Sequence, residues 1–261
     1  MEDSVYYTNR EMQAVSIARL IHDDQIAVVG TGLPLIGASI AKRLFAPTCH
    51  LIVESGIMDC NPKEVPTSVA DCRLMANGSV LWDQYRYFGF QTNSMRYENI
   101  DLLAFIGGAQ IDPYGNVNST CIGDYHQPKT RFTGSGGANG IATFFNTVIM
   151  MQHEKRRFVK SVDYLTSPGW IDGPDGRKKS GLPSNRGPQA VVTDLGIMKF
   201  DDQTKRMYVD QYYPGVSLDQ IIENTGFDID VSRARQADPP SRQVIELIRT
   251  EVDPHKVFIK Y

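Results

Sequence analysis

Short runs of entirely apolar residues constrain the fold of this chain more than any other feature. Three of them are IAVV at 26–29, LIV at 51–53 and LLAFIG at 102–107. A strand that is open to solvent on one face alternates apolar and polar residues, whereas a strand covered on both faces is apolar throughout. Helical periods over residues 8–21 and 36–44 flank the first run. We therefore expect an α/β fold, with a single open, mostly parallel sheet and helices on both faces.

The later part of the chain continues this alternation. Four more segments carry strand or helix patterns: they are residues 147–152 and 162–166 for strands, and residues 217–226 and 240–254 for helices. Residues 190–215 predict a β-hairpin that turns at Asp201, Asp202 and Gln203.

The segment from 166 to 189 is crowded with Gly and Pro and predicts a long excursion across the surface. Loops of this length are often functional. Because the sequence shows no repeat, low-complexity tract or linker, we expect a single domain over residues 1–261.

Charge and hydropathy exclude several classes of function. The formal net charge is −3, so no basic field would attract nucleic acid. Apolar residues make up 41% of the chain, which is typical of a globular protein. No stretch approaches the roughly 18 apolar residues of a membrane span, and the acidic, polar start does not resemble a signal peptide. We expect a soluble, cytoplasmic protein.

Cysteine and histidine positions argue against a metal centre. The four cysteines form no CxxC pair and have no His at ligand spacing, so we expect free, mostly buried thiols; they are Cys49, Cys60, Cys72 and Cys121. Each His is isolated and more typical of a surface or hydrogen-bonded residue than of a catalytic base. Ser135 lies in a GxSxG-like motif, but no apolar strand precedes it, as a nucleophile elbow requires.

Glycine is concentrated in two clusters, VGTGLP at 29–34 and GSGGANG at 134–140. The first is what any tight strand-to-helix turn would use, and it misses the GxGxxG dinucleotide motif because Pro34 and Leu35 fill the second half. The second cluster predicts either a turn with positive φ or a nest of backbone N–H groups that stabilises negative charge.

Glu54 directly follows the apolar run at 51–53 and directly precedes Ser55 and Gly56. It is either an ordinary polar loop residue or a nucleophile held at a strand end. The sequence offers no metal site, no catalytic His and no nucleophile elbow, so this carboxylate is the remaining candidate for a catalytic group.

These segments together resemble the class I CoA-transferases, and within that family the small, or beta, subunits. The motifs that carry the resemblance are VGTGLP, VESG around Glu54, AFIGGAQIDPYGNVNSTCIGDY at 104–125 and KTRFTGSGGANGIA at 129–142. The resemblance implies that Glu54 is the catalytic nucleophile. It also implies that two glycine segments flank the thioester and form the oxyanion and CoA-binding pocket; their residues are Gly30, Gly32, Gly134, Gly136, Gly137 and Ala138. Supporting roles are expected for Ser55, Gly56, Gln110 and Asn118, although the last two could equally form a turn.

The resemblance implies transfer of CoA from acetyl-CoA, or a similar donor, to a dicarboxylate such as glutaconate or 2-hydroxyglutarate, as in glutamate fermentation. The route would be ping-pong, through a glutamyl anhydride and a glutamyl-CoA thioester on Glu54, with CoA and acyl-CoA as substrates and no bound cofactor or metal. The expected partner is an alpha subunit, in a heterooctamer of four alpha and four beta chains. An acyl-CoA hydrolase or a non-catalytic acyl-CoA-binding relative is the alternative.

Overall fold

A computed structural model describes residues 5–93 and 100–261. The chain divides into two compact units, one formed by Met1–Phe105 with Asp238–Tyr261 and the other by Ile106–Ala237. Each unit is built from helices and strands, and the prediction of one domain stays a prediction.

Helices and strands are numbered in chain order. The α-helices are α1 (Asn9–Ala18), α2 (Leu33–Ile40), α3 (Gln84–Asn93), α4 (Ala138–Phe144), α5 (Gly176–Lys179), α6 (Leu218–Glu223) and α7 (Arg242–Leu247). The strands are β1 (Ile26–Val29), β2 (His50–Val53), β3 (Ile57–Met58), β4 (Val80–Leu81), β5 (Leu102–Gly107), β6 (Gln110–Ile111), β7 (Val117–Asn118), β8 (Cys121–Ile122), β9 (Thr130–Arg131), β10 (Asn146–Met150), β11 (Pro188–Val192), β12 (Gly196–Phe200), β13 (Met207–Tyr212) and β14 (Arg235–Gln236). Single π-helical segments, Ala41–Phe45 and Ile248–Val252, continue α2 and α7.

The first unit is organised around β1, which pairs in parallel with β2 on one side and with β5 on the other. Beyond β2, the short strands β3 and β4 add in antiparallel orientation. The apolar runs of β1, β2 and β5 are buried almost throughout, as strands covered on both faces should be. The predicted α/β class is therefore confirmed, with parallel strands inside and antiparallel strands added outside them.

Helix α1 is fixed to α2 by close backbone packing. A Cβ on Gly37 would overlap the side chain of Ile17, so glycine lets the two helices approach. At its start, α1 carries a capping box in which Thr8 and Glu11 each accept from the other's backbone N–H. Glu11 is fully buried and is also paired with Arg249, whose Nε lies 2.7 Å from its Oε1. This pair ties the start of the chain to its last helical segment.

The second unit contains the predicted hairpin. Strands β12 and β13 are antiparallel, and Asp201 turns the chain between them by accepting from the backbone N–H groups of Gln203 and Thr204. Strand β11 is antiparallel to β12 but parallel to β10. Two short ribbons, β6–β7 and β8–β9, carry the residues that precede the second glycine cluster.

The strand predicted at residues 162–166 is wrong, because this segment is irregular. Its backbone donors bond elsewhere: the Asp163 N–H donates to the side chain of Gln110, and the Thr166 N–H donates to the Val117 carbonyl. Tyr164 and Leu165, which made the segment look like a strand, are exposed. Apolar composition was therefore misleading here.

Arg177, which is only 1% exposed, helps to hold the Gly- and Pro-rich excursion at 166–189 in place. Its Nη2 donates to the Thr143 carbonyl at 2.7 Å and its Nη1 to the Gly169 carbonyl at 3.0 Å, while Nε donates to the Pro183 carbonyl at 2.8 Å. The Ala142 carbonyl accepts from both Nη atoms. The guanidinium thus joins the last turn of α4 to two parts of the excursion. Burial lowers the pKa of Arg177 to about 10, so the group stays charged at neutral pH.

The described residues contain no helix that is long and apolar enough to cross a membrane. Cys49, Cys60 and Cys121 are buried and Cys72 is exposed, and all four are free thiols, as predicted.

His153 is a buried structural residue of the second unit. Its ring stacks on Phe158 with centroids 4.0 Å apart, and its two nitrogens lie 3.2 and 3.0 Å from the hydroxyls of Thr193 and Thr225. Burial lowers its pKa to about 4, against a partial opposing effect of Asp194. The ring is therefore neutral in the folded protein at neutral pH.

Acidification should destabilise the protein through His153. Below pH 6.5 the unfolded chain takes up a proton that the folded chain accepts only near pH 4. We expect the free energy of unfolding to fall by about 3 kcal/mol between these two pH values through this group alone. Urea denaturation across this range should show a flatter pH dependence for His153→Gln than for the native protein. Replacement of the exposed His22 by Gln is the control, and an equal slope in His153→Gln would contradict the assignment.

Candidate active site

Glu54 and the first glycine turn lie side by side at one edge of the sheet in the first unit. Strands β1 and β2 are parallel, and Val29 is in register with Val53. Gly30 follows Val29 and Glu54 follows Val53, so both residues leave the carboxyl ends of neighbouring strands. In open α/β sheets this edge is where ligands bind. The structure thus brings together two of the features that the sequence singled out.

The turn that carries Glu54 is fixed by its backbone. The Gly56 N–H donates to the Val53 carbonyl at 2.9 Å, which closes a tight turn with Glu54 and Ser55 at its centre. Gly56 has φ of +89°, and a Cβ at this position would overlap the Trp82 carbonyl. The Trp82 N–H in turn donates to the Gly56 carbonyl at 2.8 Å. Gly56 therefore holds the turn through its backbone, in a conformation and space that do not suit a residue with a side chain.

The Glu54 side chain itself is exposed in this chain. The hydroxyl of the next residue, Ser55, is buried and has no hydrogen-bond partner among the residues that the structure describes. Tyr87, from α3, is buried close enough to respond to the carboxylate: burial raises its pKa to about 12, the Gln91 side chain acts against this rise, and the charge of Glu54 adds to it. Tyr87 therefore stays protonated at neutral pH.

The first glycine turn leads into α2. Gly32 is the N-cap residue of this helix, with φ of +90°, and its carbonyl accepts from the Ile36 N–H. No atom of residues 5–93 or 100–261 lies within 4 Å of a Cβ built on Gly30. Space is therefore open beside Gly30, on the side where a ligand could approach the backbone.

The second glycine cluster belongs to the second unit and begins α4. Gly134 and Gly136 have φ of +93° and +51°, which explains the choice of glycine at both positions. The Gly134 N–H donates to the Ser119 carbonyl and the Ala138 N–H donates to the Ser135 carbonyl. The N–H groups of Gly136 and Gly137 donate to no residue in the described part of the chain. The last two amides are the donors that a ligand could use.

Gln110 and Asn118 form a buried link beneath this glycine cluster. Asn118 is fully buried and its Nδ2 donates to Gln110 Oε1 and to the Cys121 carbonyl, both at 2.7 Å. Its Oδ1 accepts from the N–H groups of Thr120 and Cys121. Asn118 is thus occupied with holding the loop whose Ser119 carbonyl binds Gly134.

Sequence reasoning missed two residues that position this cluster. Asn139 Nδ2 donates to the Thr166 carbonyl at 2.7 Å, and Arg177 binds the far end of α4. Asn139 lies inside the GSGGANG motif, so its polar side chain among glycines was a signal that could have been used. Arg177 gave no such signal, because an Arg in a Gly- and Pro-rich segment is usually exposed.

A thiolate nucleophile and a metal site have little support among the described residues. Burial raises the pKa of the Cys60 thiol to about 11, so Cys60 is not a thiolate at neutral pH. Among the described residues, no group of three or more His, Cys, Asp or Glu side chains is arranged to hold a metal ion. The arrangement in the first unit supplies an accessible carboxylate on a rigid turn, and the second unit supplies unoccupied backbone donors.

Comparison with known proteins identifies the family. The model of the family described as Coenzyme A transferase matches residues 10–224. The chain is 63% identical over 260 residues to a subunit of glutaconate CoA-transferase of Acidaminococcus fermentans, covering 100% of this chain and 98% of that protein. It is 36% identical over 248 residues to a subunit of 3-oxoadipate CoA-transferase of Pseudomonas knackmussii, covering 94% of this chain and 93% of that protein.

A solved structure agrees with both sequence comparisons. The crystal structure of glutaconate coenzyme A-transferase from Acidaminococcus fermentans matches with a TM-score of 0.96 and 63% identity, covering 99% of this chain and 100% of that one. The resemblance expected from VGTGLP, VESG and GSGGANG is therefore confirmed. The chain belongs to the Coenzyme A transferase family, a family of enzymes.

Proposed function

We propose that the chain is the beta subunit of a CoA-transferase that moves CoA from acetyl-CoA, or a similar donor, to a dicarboxylate such as glutaconate or 2-hydroxyglutarate. The observation that carries this proposal is the fixed position of Glu54 at the carboxyl edge of β2, beside the Gly30 turn. The 63% identity to a glutaconate CoA-transferase subunit supports the choice of substrate.

Glu54 suits the role of nucleophile because its carboxylate is accessible while its backbone is held rigidly. The turn closed by Gly56 fixes the Cα of Glu54, and no salt bridge with a described residue competes for its oxygens. A positioned carboxylate can attack the carbonyl carbon of an acyl-CoA, which divides one difficult exchange into easier steps. This role needs no bound cofactor.

The proposed cycle begins when a Glu54 oxygen attacks the thioester carbonyl and CoA leaves as a thiolate, which forms a mixed anhydride. The thiolate then attacks the Glu54 carbonyl carbon of that anhydride, the donor acid leaves as a carboxylate, and Glu54 becomes a CoA thioester. The acceptor carboxylate reverses both steps. Because a thioester is exchanged for a thioester, no ATP is consumed. The kinetics should be ping-pong.

Each tetrahedral intermediate in this cycle carries an oxyanion that needs hydrogen-bond donors. From the family resemblance we propose that backbone N–H groups of the glycine segments supply these donors; those of Gly30, Gly32, Gly136 and Gly137 donate to no described residue. The amides of Gly134 and Ala138 already donate within the chain, so these two residues would shape the pocket instead. Loss of one good oxyanion donor costs about 3 to 4 kcal/mol in comparable enzymes.

The exposure of Glu54 supports an alpha subunit as partner. A glutamyl anhydride must be kept from water, yet this chain alone leaves Glu54 exposed. The segment bonded to the Glu54 turn also exposes apolar side chains, with Leu81 62% and Tyr85 89% accessible. Apolar side chains exposed together mark sites of protein association. We therefore propose that the alpha subunit covers this segment. We further propose a cytoplasmic complex of four alpha and four beta chains, a stoichiometry that the family resemblance suggests.

The function is tested by looking for the covalent intermediate. The assembled complex is incubated with glutaryl-CoA without an acceptor acid, digested and analysed by mass spectrometry. We expect the peptide that contains Glu54 to gain the mass of CoA less one water, as a thioester requires, and hydroxylamine to release the CoA. Steady turnover of both substrates with no adduct on this peptide would contradict the mechanism. Hydrolysis of acyl-CoA without transfer would instead support the hydrolase alternative, and binding without turnover the non-catalytic one.

A further inference from the structure

A cavity of about 310 Å³ in the second unit has no role in the function proposed above. It lies beside strand β6 and the β8–β9 ribbon. Residues from three separate parts of the chain line it: Ala109, Gln110, Ile122, Thr130, Phe132, Arg156 and Arg157. Its volume is within the range of small-molecule binding sites. Such sites combine apolar walls with a few fixed polar groups, so the polar groups here decide what could bind.

Gln110 is one of these polar groups, and its side chain is held in a single orientation. The residue is 5% exposed, and its Oε1 accepts from the Asp163 backbone N–H at 3.0 Å and from Asn118 Nδ2 at 2.7 Å. A backbone N–H can only donate, so the atom that faces it must be the amide oxygen. The amide nitrogen, Nε2, is therefore the atom on the other side.

This nitrogen has two N–H donors and donates neither to any described residue. The residue as a whole is buried, but this nitrogen is reached by solvent. The Asp163 N–H and Asn118 Nδ2 thus fix the Gln110 oxygen by two hydrogen bonds, while the nitrogen of this cavity-lining residue has no partner among the described residues. A ligand with a hydrogen-bond acceptor could bind this nitrogen.

The charge at the cavity favours an anionic acceptor. Arg156 and Arg157 both donate through Nε to one oxygen of Glu154, at 2.7 and 3.0 Å. Two guanidinium groups on one carboxylate leave one net positive charge and several unused N–H donors. Arg157 is the better placed of the two to stay ordered, since 27% of its side chain is exposed, against 75% for Arg156. Phe132 and Ile122 supply the apolar lining.

We propose that this cavity binds an oxyanion group of a substrate, with Gln110 Nε2 and the Arg157 guanidinium as its donors. Two substrates of the proposed function carry such a group, the dicarboxylate through its carboxylates and CoA through its phosphates, so the inference rests on that function for its ligands. The chemistry shared by both is an anionic oxygen acceptor that fits two convergent N–H donors.

The test uses the assembled alpha-beta complex and isothermal titration with two unreactive probes, glutarate and adenosine 3′,5′-bisphosphate. Gln110→Glu preserves the shape of the side chain and the oxygen that accepts from Asp163 and Asn118, but it replaces the donor nitrogen with an anionic oxygen. We expect it to weaken binding of at least one probe by about tenfold or more. Arg157→Gln should weaken binding of the same probe. Gln203→Glu, on an exposed turn, introduces the same charge and should change neither affinity.

The two probes distinguish the sources of the anion. Weaker binding of glutarate alone assigns the cavity to the acid, weaker binding of the bisphosphate alone assigns it to CoA, and weaker binding of both assigns it to a subsite that accepts either. Unchanged affinity for both probes in Gln110→Glu and in Arg157→Gln would overturn the inference. Its failure is separable from that of the proposed function, because the probes bind without reacting and the Glu54 adduct is measured independently.

Discussion

Replacing Glu54 with Gln will reduce CoA transfer by the assembled enzyme by at least about 10³-fold in kcat, a loss typical of removing a covalent nucleophile. An amide nitrogen and oxygen are far weaker nucleophiles than a carboxylate, so neither the anhydride nor the Glu54 thioester can form. The fold should be unaffected, because Glu54 is exposed and its turn is closed by the backbone of Val53 and Gly56. The measurement is exchange of CoA between donor and acceptor acids, with affinity for acyl-CoA measured alongside.

Two further variants sharpen this result. Glu223→Gln, on the exposed surface of α6, makes the same chemical change away from the site and should transfer CoA at the native rate. Glu54→Asp withdraws the carboxylate by one methylene, and we expect slower transfer with a larger share of acyl-CoA lost to water. Native exchange rates in Glu54→Gln would rule out this residue as the nucleophile.

Replacing Arg177 with Met should strongly reduce the stability of the fold. The side chain would keep much of its volume, but the carbonyls of Ala142, Thr143 and Gly169 would lose their donor inside the protein. A buried acceptor left unpaired costs about 1 to 3 kcal/mol. Since Arg177 serves several acceptors at once, we expect the free energy of unfolding to fall by at least about 4 kcal/mol. Urea denaturation followed by circular dichroism measures this difference.

Lys178→Met is the matched control, because it removes a cation from the next position of the same short helix, where the side chain is exposed. It should change the free energy of unfolding by no more than about 0.5 kcal/mol. Arg177→Lys should recover part of the loss, since an ammonium group keeps the charge but cannot span carbonyls on three segments. A urea denaturation curve for Arg177→Met that coincides with that of Lys178→Met would contradict the structural role.

The parallel core was predictable from sequence because burial on both faces leaves a direct mark on composition. Ile26–Val29 and His50–Val53 are almost continuously apolar, and the structure places them as neighbouring parallel strands. The position of Glu54 was predictable for the same reason, since it is the first polar residue after such a run. Glycines at Gly32, Gly56 and Gly134 were informative because positive φ is costly for other residues.

What the sequence did not reveal depends on contacts between distant residues. Residues 162–166 contain the apolar residues of a strand, but their backbone donors bond to Gln110 and Val117. Arg177 is of a residue type that is usually exposed, and its burial follows only from carbonyls of α4 and of two parts of the excursion. The donor nitrogen of Gln110 likewise becomes evident only once Asp163 and Asn118 are seen to hold its oxygen.

The tight turn between β2 and β3 fixes the position of residue 54 independently of the identity of its side chain. Its geometry is set by hydrogen bonds among main-chain atoms of Val53, Gly56 and Trp82, none of which involves the side chain at position 54. Different side chains can therefore be presented from the same point in space without rebuilding the surroundings. Substitutions at position 54 can therefore change the chemistry of this turn without disturbing the folding of the subunit.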